Sequence, residues 1–332
     1  MPVRTKEIDI EEMLDRKARR KKAFSTVLPF LGLLLTIIVM AIATKGVLLS
    51  AENMVNIINQ CFHTAIVGVG AAFVYAHGGM DFSVGSSCGV AQLVCIALVT
   101  KAGAPLWVGV LASIAVGVVN ALIVGVGAYK LHLQPFIVSL CVRSACAGVL
   151  IAGTNAMGRN VRVPLEVFGV FNDNVFKAIV LVVLVAVCWY LFEKTSLGKS
   201  EKAIGGNAVT STQSGILTGR NIFYAYLILG ICVGIAASFQ MARGGMVTTT
   251  SGSGLEFNIM IALALGGFPM AGGSAAKIRA MIIGVLTITI LTNGLTIAGV
   301  DSLYVNLVKG CLFVAIVAVS YDRSNLKQVV FM

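Results

Sequence analysis

The sequence predicts an all-α integral membrane protein, built as one bundle of about ten transmembrane helices. Hydrophobic residues make up 58% of the 332 residues and charged residues only 12%, a composition far from that of soluble domains. The apolar residues lie in runs long enough to cross a bilayer, such as 175–192 and 278–295. Lys and Arg gather at the ends of these runs, which is typical of residues that orient transmembrane helices.

Ten apolar segments follow one another along the chain. They are residues 24–43, 54–75, 84–99, 105–126, 136–152, 175–192, 222–240, 257–267, 278–295 and 303–319. The third and the eighth are short, and each is flanked by glycine-rich polar sequence. An alternative is that these two are half-helices or re-entrant segments, which would leave eight crossings.

The basic residues also predict how the bundle is oriented. A basic run at 16–22 precedes the first segment and favours the anionic cytoplasmic leaflet. We therefore expect a cytoplasmic tail at 1–23, a transmembrane domain at 24–322 and a second cytoplasmic tail at 323–332. Ten crossings put the following basic residues inside: Lys130, Lys277, Arg279, Arg323 and Lys327. The net charge of +11 reflects this topology and does not indicate nucleic-acid binding.

The eight cysteines all lie inside apolar segments, and none forms a Cys-x-x-Cys pair. In a helix bundle such cysteines act as small packing residues, so we expect neither a metal site nor disulfides. Small residues four apart, as in Gly117–Ala121 and Gly230–Gly234, predict close helix packing. Segments two to five and seven to ten have opposite orientations, which allows an inverted repeat.

Polar residues within the apolar segments are expected to face the interior of the bundle, because lipid cannot satisfy them. They are Gln60, Asn120, Arg143, Asn293 and Lys309. Asp81 and Ser83 lie in a glycine-rich stretch, 78–86, where they either line a pathway or cap the next helix. Glu256 follows a hydroxyl-rich segment predicted to be external, and either shapes a polar entrance or complements a helix dipole.

The loop 193–220 separates two apolar segments and carries a strong positive charge. The positive-inside rule places it in the cytoplasm. A large polar loop in the middle of a membrane protein is expected to contact a cytoplasmic partner, which could supply energy that this chain cannot.

Two short motifs resemble catalytic or nucleotide-binding signatures but lack the rest of them. Residues 197–200 look like the end of a Walker A loop, yet Glu193 stands where the first glycine is required. Residues 85–89 match Gly-x-Ser-x-Gly around Ser87, a spacing that glycine- and serine-rich membrane helices produce readily. We expect no catalytic residue in this chain.

Several motifs in order resemble the permease subunit of sugar-type ATP-binding-cassette importers, the ribose, xylose and galactose group. Residues 78–85 are similar to GGIDLSVG, and 134–140, which include Phe136, to PPFIVTL. The loop 195–216 resembles the pattern TxxGR…AIGGN…SGI, and 293–295 and 308–310 match near the C-terminus. The resemblance covers about residues 54–322. Departures from it include Phe268 and Ala275, which replace small residues around a double glycine.

The resemblance implies a type II importer-like bundle in the bacterial cytoplasmic membrane, with both termini cytoplasmic. It implies a homodimer, a cytoplasmic ATP-binding subunit of tandem type that holds ATP and magnesium, and an extracytoplasmic solute-binding protein; this chain itself would hold no cofactor. The expected substrate path contains Gln60, Asp81, Ser83, Phe136, Glu256 and Asn293. The expected coupling residues are Gly198, Lys199, Ala203, Gly205, Gly206, Asn207, Ser214 and Gly215.

The coupling loop is expected to fold into short helices, with a tight turn at Gly205 and Gly206 and a cap at Asn207. A monosaccharide is the expected solute; nucleosides and branched-chain amino acids are alternatives within the same superfamily. A secondary transporter is a further alternative, although it would usually need more embedded acidic residues. An intramembrane serine protease that uses Ser87 is a remote one.

Overall fold

The computed structural model of the protein describes residues 27–158, 161–163 and 165–320. The two predicted tails, 1–23 and 323–332, lie outside these residues. The helices are α1 (Val27–Ala43 in its described part), α2 (Ala51–Ala76), α3 (Val84–Thr100), α4 (Leu106–Lys130), α5 (Pro135–Ala156), α6 (Gly169–Asn172), α7 (Asn174–Glu193), α8 (Ser196–Gly206), α9 (Ala208–Gln213), α10 (Thr218–Gly244), α11 (Leu255–Leu265), α12 (Ile278–Ile297) and α13 (Ser302–Ser320). Short 3₁₀ turns occupy Val47–Leu49 and Leu165–Phe168.

Six of the described helices are long and apolar enough to cross a membrane: α2, α4, α5, α7, α10 and α12. This confirms the all-α membrane class, whereas the number of crossings stays a prediction. With a rise of about 1.5 Å per residue, α3 spans about 26 Å and α11 about 17 Å, against a hydrocarbon core of about 30 Å. The shortness expected of the third and eighth segments is therefore present in the structure.

A two-stranded antiparallel ladder was not expected from the sequence. Strands β1 (Val161–Arg162) and β2 (Met246–Val247) pair so that Val161 opposes Val247. The Val163 N–H extends the pairing by donating to the Gly245 carbonyl at 2.8 Å. The ladder joins the segment after α5 to the segment after α10. Pairing between such distant residues leaves no trace in local periodicity, because each strand is only two residues long.

Helix α2 forms the centre of the bundle, where it packs against α7, α8, α10, α11 and α12. Within its most apolar window 78% of the residues are buried, compared with 17% for the peripheral α7. Helices α4 and α10 run antiparallel in close contact, so a Cβ added at Gly230 would lie 2.6 Å from the Val118 Cα. The close packing expected from the small-residue spacing is present here, although the spacing did not predict which helices would meet.

Candidate functional site

The first turns of α3 and α11 meet in the interior of the protein. Gly85 packs so tightly that an added Cβ would overlap the Glu256 carboxylate and the Gly252 carbonyl. Asp81 is 3% exposed and Glu256 is 2% exposed. The sequence predicted that the hydroxyl-rich segment before Glu256 is external. In the structure Gly252 and Glu256 are buried, and the N-termini of α3 and α11 lie together inside the bundle.

Asp81 forms a turn with Ser83, the N-cap residue of α3, and no side chain caps the helix itself, contrary to the simpler interpretation of the sequence. Its Oδ1 accepts hydrogen bonds from the backbone N–H of Ser83 at 2.8 Å and from the Ser83 hydroxyl at 2.6 Å. The Ser83 side chain itself makes no capping bond to the helix. Both residues are therefore held rigidly at the buried end of α3, where the helix dipole favours a negative group.

Glu256 forms an ion pair across the bundle with Arg143 of α5. The Arg143 Nη2 lies 3.0 Å from Glu256 Oε1, and the guanidinium stands 5.8 Å from the centre of the Phe257 ring. The other carboxylate oxygen, Oε2, is buried without a hydrogen-bond partner among the described residues. Sequence reasoning noted Arg143 as an interior polar residue but left it out of the path, because its partner is 113 positions away in the chain.

Phe136 belongs to an aromatic group beside this ion pair. The Phe82 ring packs edge-on against Phe136 at 5.2 Å and against Phe257 at 5.9 Å between centroids. Phe136 and Phe257 are 43% and 46% exposed, and Arg143 is partly exposed. The structure thus brings four predicted path residues, Asp81, Ser83, Phe136 and Glu256, to one region and adds Arg143 to them.

Gln60 lies in a separate polar cleft of about 130 Å³ between α2, α11, α12 and α13. The residues that line it are Gln60, His63, Thr64, Asn258, Ile288, Thr289, Thr292 and Lys309. The Lys309 ammonium donates to the Asn258 side-chain oxygen at 3.2 Å. Amide, hydroxyl and ammonium groups at membrane depth form a surface that can hydrogen-bond to a polar solute.

Asn293, the sixth predicted path residue, lies outside both regions. Its Oδ1 accepts from the Asn53 side chain at 2.9 Å, and Asn53 also donates to the Leu48 carbonyl at 2.8 Å. Asn293 is 5% exposed. Its amide group therefore joins α12 to the start of α2, as interior polar residues often do between membrane helices.

The predicted coupling loop contains two short helices, α8 and α9. The prediction that Asn207 caps the second helix is confirmed, since its side chain accepts from the Thr210 N–H at 3.0 Å. The predicted reason for Gly205 and Gly206 is wrong, because both have helical backbone at the end of α8. Gly205 is instead needed for close approach: an added Cβ would overlap the Ala76 carbonyl and lie 2.6 Å from the Gly273 nitrogen.

The coupling residues divide into a packed side and an exposed side. Gly198 is buried against the Phe192 backbone, and Ala203 and Gly205 are half-buried. The exposed ones are Lys199, Gly206, Asn207, Ser214 and Gly215. Two apolar side chains join this exposed side, Val209 at 68% and Leu217 at 64%. The exposed side of the loop therefore combines polar, basic and apolar groups.

Ser87 has none of the surroundings of a protease nucleophile in the described part of the chain. Its hydroxyl faces the Cys146 sulfur at 4.0 Å, while His77 binds Glu201 and His63 lies beside Thr64. A nucleophilic serine needs a base within hydrogen-bond reach. The geometry therefore gives the protease alternative no support.

The chain is similar to known transport proteins over most of its length. The family described as "Branched-chain amino acid transport system / permease component" matches residues 53–317. The ribose import permease protein RbsC of Bacillus subtilis (strain 168) is 30% identical over 305 residues, which cover 90% of this chain and 92% of the relative.

Two permeases of Escherichia coli (strain K12) are also similar. The D-allose transport system permease protein AlsC is 29% identical, over 83% of this chain and 84% of the relative. The galactose/methyl galactoside import permease protein MglC is 27% identical, over 91% of this chain and 96% of the relative. The protein therefore belongs to this family of transport permease components, and it is a transport subunit rather than an enzyme.

Proposed function

We propose that this protein is the membrane-spanning subunit of an ATP-binding-cassette importer that moves a monosaccharide into a bacterial cell. The observation that carries the proposal is the similarity to the ribose permease, which extends over 90% of this chain. The other relatives named above also carry sugars in their names. Nucleosides and branched-chain amino acids are accordingly less favoured as solutes.

The proposed path runs past the buried ends of α3 and α11. Arg143, Glu256 and Asp81 would offer charged hydrogen-bonding groups to sugar hydroxyls, and Phe136 and Phe257 would offer ring faces to the apolar side of a sugar. Gln60 in the 130 Å³ cleft supplies further hydrogen-bonding capacity. Asn293 is proposed only as a support of the path, because its oxygen is already bonded to Asn53.

The proposed partners follow from the two ends of the bundle. A tandem ATP-binding subunit that holds ATP and magnesium would dock on the exposed side of α8 and α9, and a solute-binding protein would deliver the sugar at the opposite face. We propose a homodimer with the path at its axis, ten crossings, the tails 1–23 and 323–332 in the cytoplasm, and no cofactor in this chain. The bacterial cytoplasmic membrane is the proposed location.

In the proposed mechanism, closure of the ATP-binding subunit moves α8 and α9. Helix α8 contacts the end of α2 through Gly205, so its displacement reaches the centre of the bundle. The bundle would then alternate between two packings, one open to each side, as expected for a permease driven by a partner. No bond in the solute is made or broken by this chain.

Uptake into vesicles tests the proposal. The protein is reconstituted with its ATP-binding subunit and binding protein, and the probes are radiolabelled D-ribose, D-allose, D-galactose and D-fructose, with L-leucine for comparison. We expect at least one sugar to accumulate with ATP, and none with a non-hydrolysable analogue. Uptake that persists without the ATP-binding subunit would contradict the importer and favour a secondary transporter.

A further inference from the structure

We propose that the buried His77–Glu201 pair is the contact through which movement of α8 pulls on the membrane core and so resets the path. The inference rests on the proposed function, because it concerns how a cytoplasmic partner drives this bundle. It assigns a positioning role to two residues that the motifs in the sequence did not mark.

The pair joins the cytoplasmic helix α8 directly to the end of α2. The His77 Nδ1 lies 2.8 Å from Glu201 Oε2. The two side chains are 5% and 0% exposed, although α8 is otherwise a largely polar helix at the edge of the molecule. Glu201 therefore turns its carboxylate inward, away from the water that the neighbouring Lys199 side chain reaches.

The hydrogen bond from His77 is what offsets the cost of burying the Glu201 carboxylate. Its second oxygen, Oε1, is buried and makes no hydrogen bond within the described ranges. Separating the two side chains would leave a buried carboxylate without the partner that it needs, which is among the most unfavourable changes in a protein interior. The two helices are thus held together against a separating force.

The neighbouring contacts between α8 and α2 are of a different kind. Gly205 packs against the Ala76 carbonyl, and that carbonyl also accepts from the Gly273 N–H at 2.9 Å. Close packing of this sort transmits a push, because atoms cannot overlap, but it offers little resistance when α8 moves away. A buried hydrogen-bonded pair resists withdrawal, so the two contacts together transmit movement in both directions.

His77 also stands at the start of the segment that leads to the path. It is the C-cap residue that follows α2, and Gly78 after it has a left-handed backbone with φ of 84°. Asp81, which bonds to the N-cap residue of α3 near the meeting point of α3 and α11, follows four positions after His77. A displacement of the His77 side chain is therefore passed over a few residues to the buried end of α3.

The central position of α2 makes this connection effective. The His77 ring lies 6.0 Å from the Tyr226 ring of α10, whose buried hydroxyl has no hydrogen-bond partner among the described residues. Towards its other end, α2 is bonded to α12 through Asn53 and Asn293. Because α2 contacts α10 near one end and is hydrogen-bonded to α12 near the other, we expect it to move as a rigid element.

Three variants separate a role in transmission from a role in folding. Glu201→Leu removes the pair, Glu201→Gln keeps a hydrogen-bonding group of the same shape, and the double variant His77→Leu/Glu201→Leu replaces the pair by apolar packing. A control is Ser113→Ala, which removes a buried hydrogen bond of 2.9 Å to the Ala91 carbonyl, between α4 and α3 and away from α8.

The readout is sugar transported per ATP hydrolysed in the reconstituted importer. We expect this ratio to fall by about tenfold in Glu201→Leu and to stay low in the double variant, while Glu201→Gln and Ser113→Ala remain within about twofold of wild type. A double variant that transports as much sugar per ATP as wild type would overturn the inference, because packing alone would then suffice.

A second readout needs no solute. In a background without the exposed Cys141 and Cys311, a cysteine introduced at Ser86, near the start of α3, is labelled in the complex with and without ATP. We expect ATP to change the labelling rate in the wild-type background and not in the double variant; equal changes in both would overturn the inference. Wild-type protein that transports none of the sugars but retains this ATP response would count against the proposed solute and leave the role of the pair supported.

Discussion

At the scale of single residues, the bundle is shaped by glycines at close helix contacts and by buried carboxylates that pair with a basic side chain. The Arg143–Glu256 pair joins α5 to α11 over 3.0 Å, and Glu256 keeps one buried oxygen without a partner among the described residues. Arg143 is partly exposed, so the buried charge is that of Glu256, and losing its partner would be costly. The pair thereby holds α5 against the start of α11, beside the aromatic group of Phe82, Phe136 and Phe257.

The contact between α11 and α12 gives the sharpest prediction at this scale. A Cβ at Gly284 would overlap the Ala262 carbonyl, so Gly284→Ala must separate the two helices. We expect a loss of about 1–3 kcal/mol of unfolding free energy, as is typical of overpacked sites. Thermal unfolding of the purified protein in detergent measures it.

A second glycine serves as the control for Gly284→Ala. Gly32 in α1 has no atom within 4 Å of an added Cβ. The substitution Gly32→Ala is expected to leave the unfolding temperature unchanged or to raise it slightly, since alanine favours helix by about 1 kcal/mol. Equal unfolding temperatures for the two variants would contradict the tight contact at Gly284.

At the scale of elements, α9 is a short helix fixed by its cap and by its attachment to α8. Its six residues are too few to fold alone, so the Asn207 cap and the buried Ser211 matter for its position. The outward side of α9 carries Val209, which is 68% exposed. Under the proposed function, the ATP-binding subunit would cover this side chain.

We predict that Val209→Asp weakens binding of the ATP-binding subunit. A carboxylate placed in a contact that excludes water is unfavourable, and a loss of about tenfold or more in affinity is expected. Co-purification of the two subunits at a series of salt concentrations measures the change. The unfolding temperature of the permease should stay the same, because the side chain touches little of its own protein.

The matched control is Val170→Asp in α6, a valine that is 63% exposed in a different part of the chain. Because α6 belongs to the connection between α5 and α7, the proposed topology puts it outside the cell. Co-purification should be unaffected there. If the Val170 and Val209 variants retained the ATP-binding subunit equally well, α9 would not be the docking element.

At the scale of the whole molecule, the bundle is organised around α2, with α3 and α11 as short helices that begin in the interior and run away from each other. Two helix N-termini that meet at depth leave buried N–H groups and dipole ends in one place. Asp81 and Glu256 supply the negative groups that such a place requires. A helix that begins inside the protein can be shorter than the membrane is thick, which accounts for the two short apolar segments of this multi-pass protein.

The proposed topology predicts which segments are labelled from each side of the membrane. In a background without the exposed cysteines Cys141 and Cys311, a thiol at Thr212→Cys should react with an impermeant reagent only from the cytoplasmic side. A thiol at Val170→Cys should react only from outside. Labelling of both positions from the same side of sealed vesicles would show that the orientation of α7 is misassigned.

Much of the architecture could be predicted from the sequence because the signals are local. Apolar runs located the long helices, the small-residue spacing predicted close packing along α4 and α10, and Asn207 marked the start of α9. Each of these depends on a few consecutive residues and on the cost of exposing polar groups to lipid. The two short helices expected within the 193–220 loop are also present, as α8 and α9.

The remaining features depend on residues that are distant in the chain, and only the tertiary structure decided them. These are the meeting of α3 with α11, the contact of Gly205 with Ala76, and the Arg143–Glu256 and His77–Glu201 pairs. Hydropathy indicates that a charged residue in an apolar segment needs a hydrogen-bonding or charged partner, but it does not indicate which helix carries that partner. That choice is made when the helices pack, because each buried charge then meets whichever partner the neighbouring backbone brings to it.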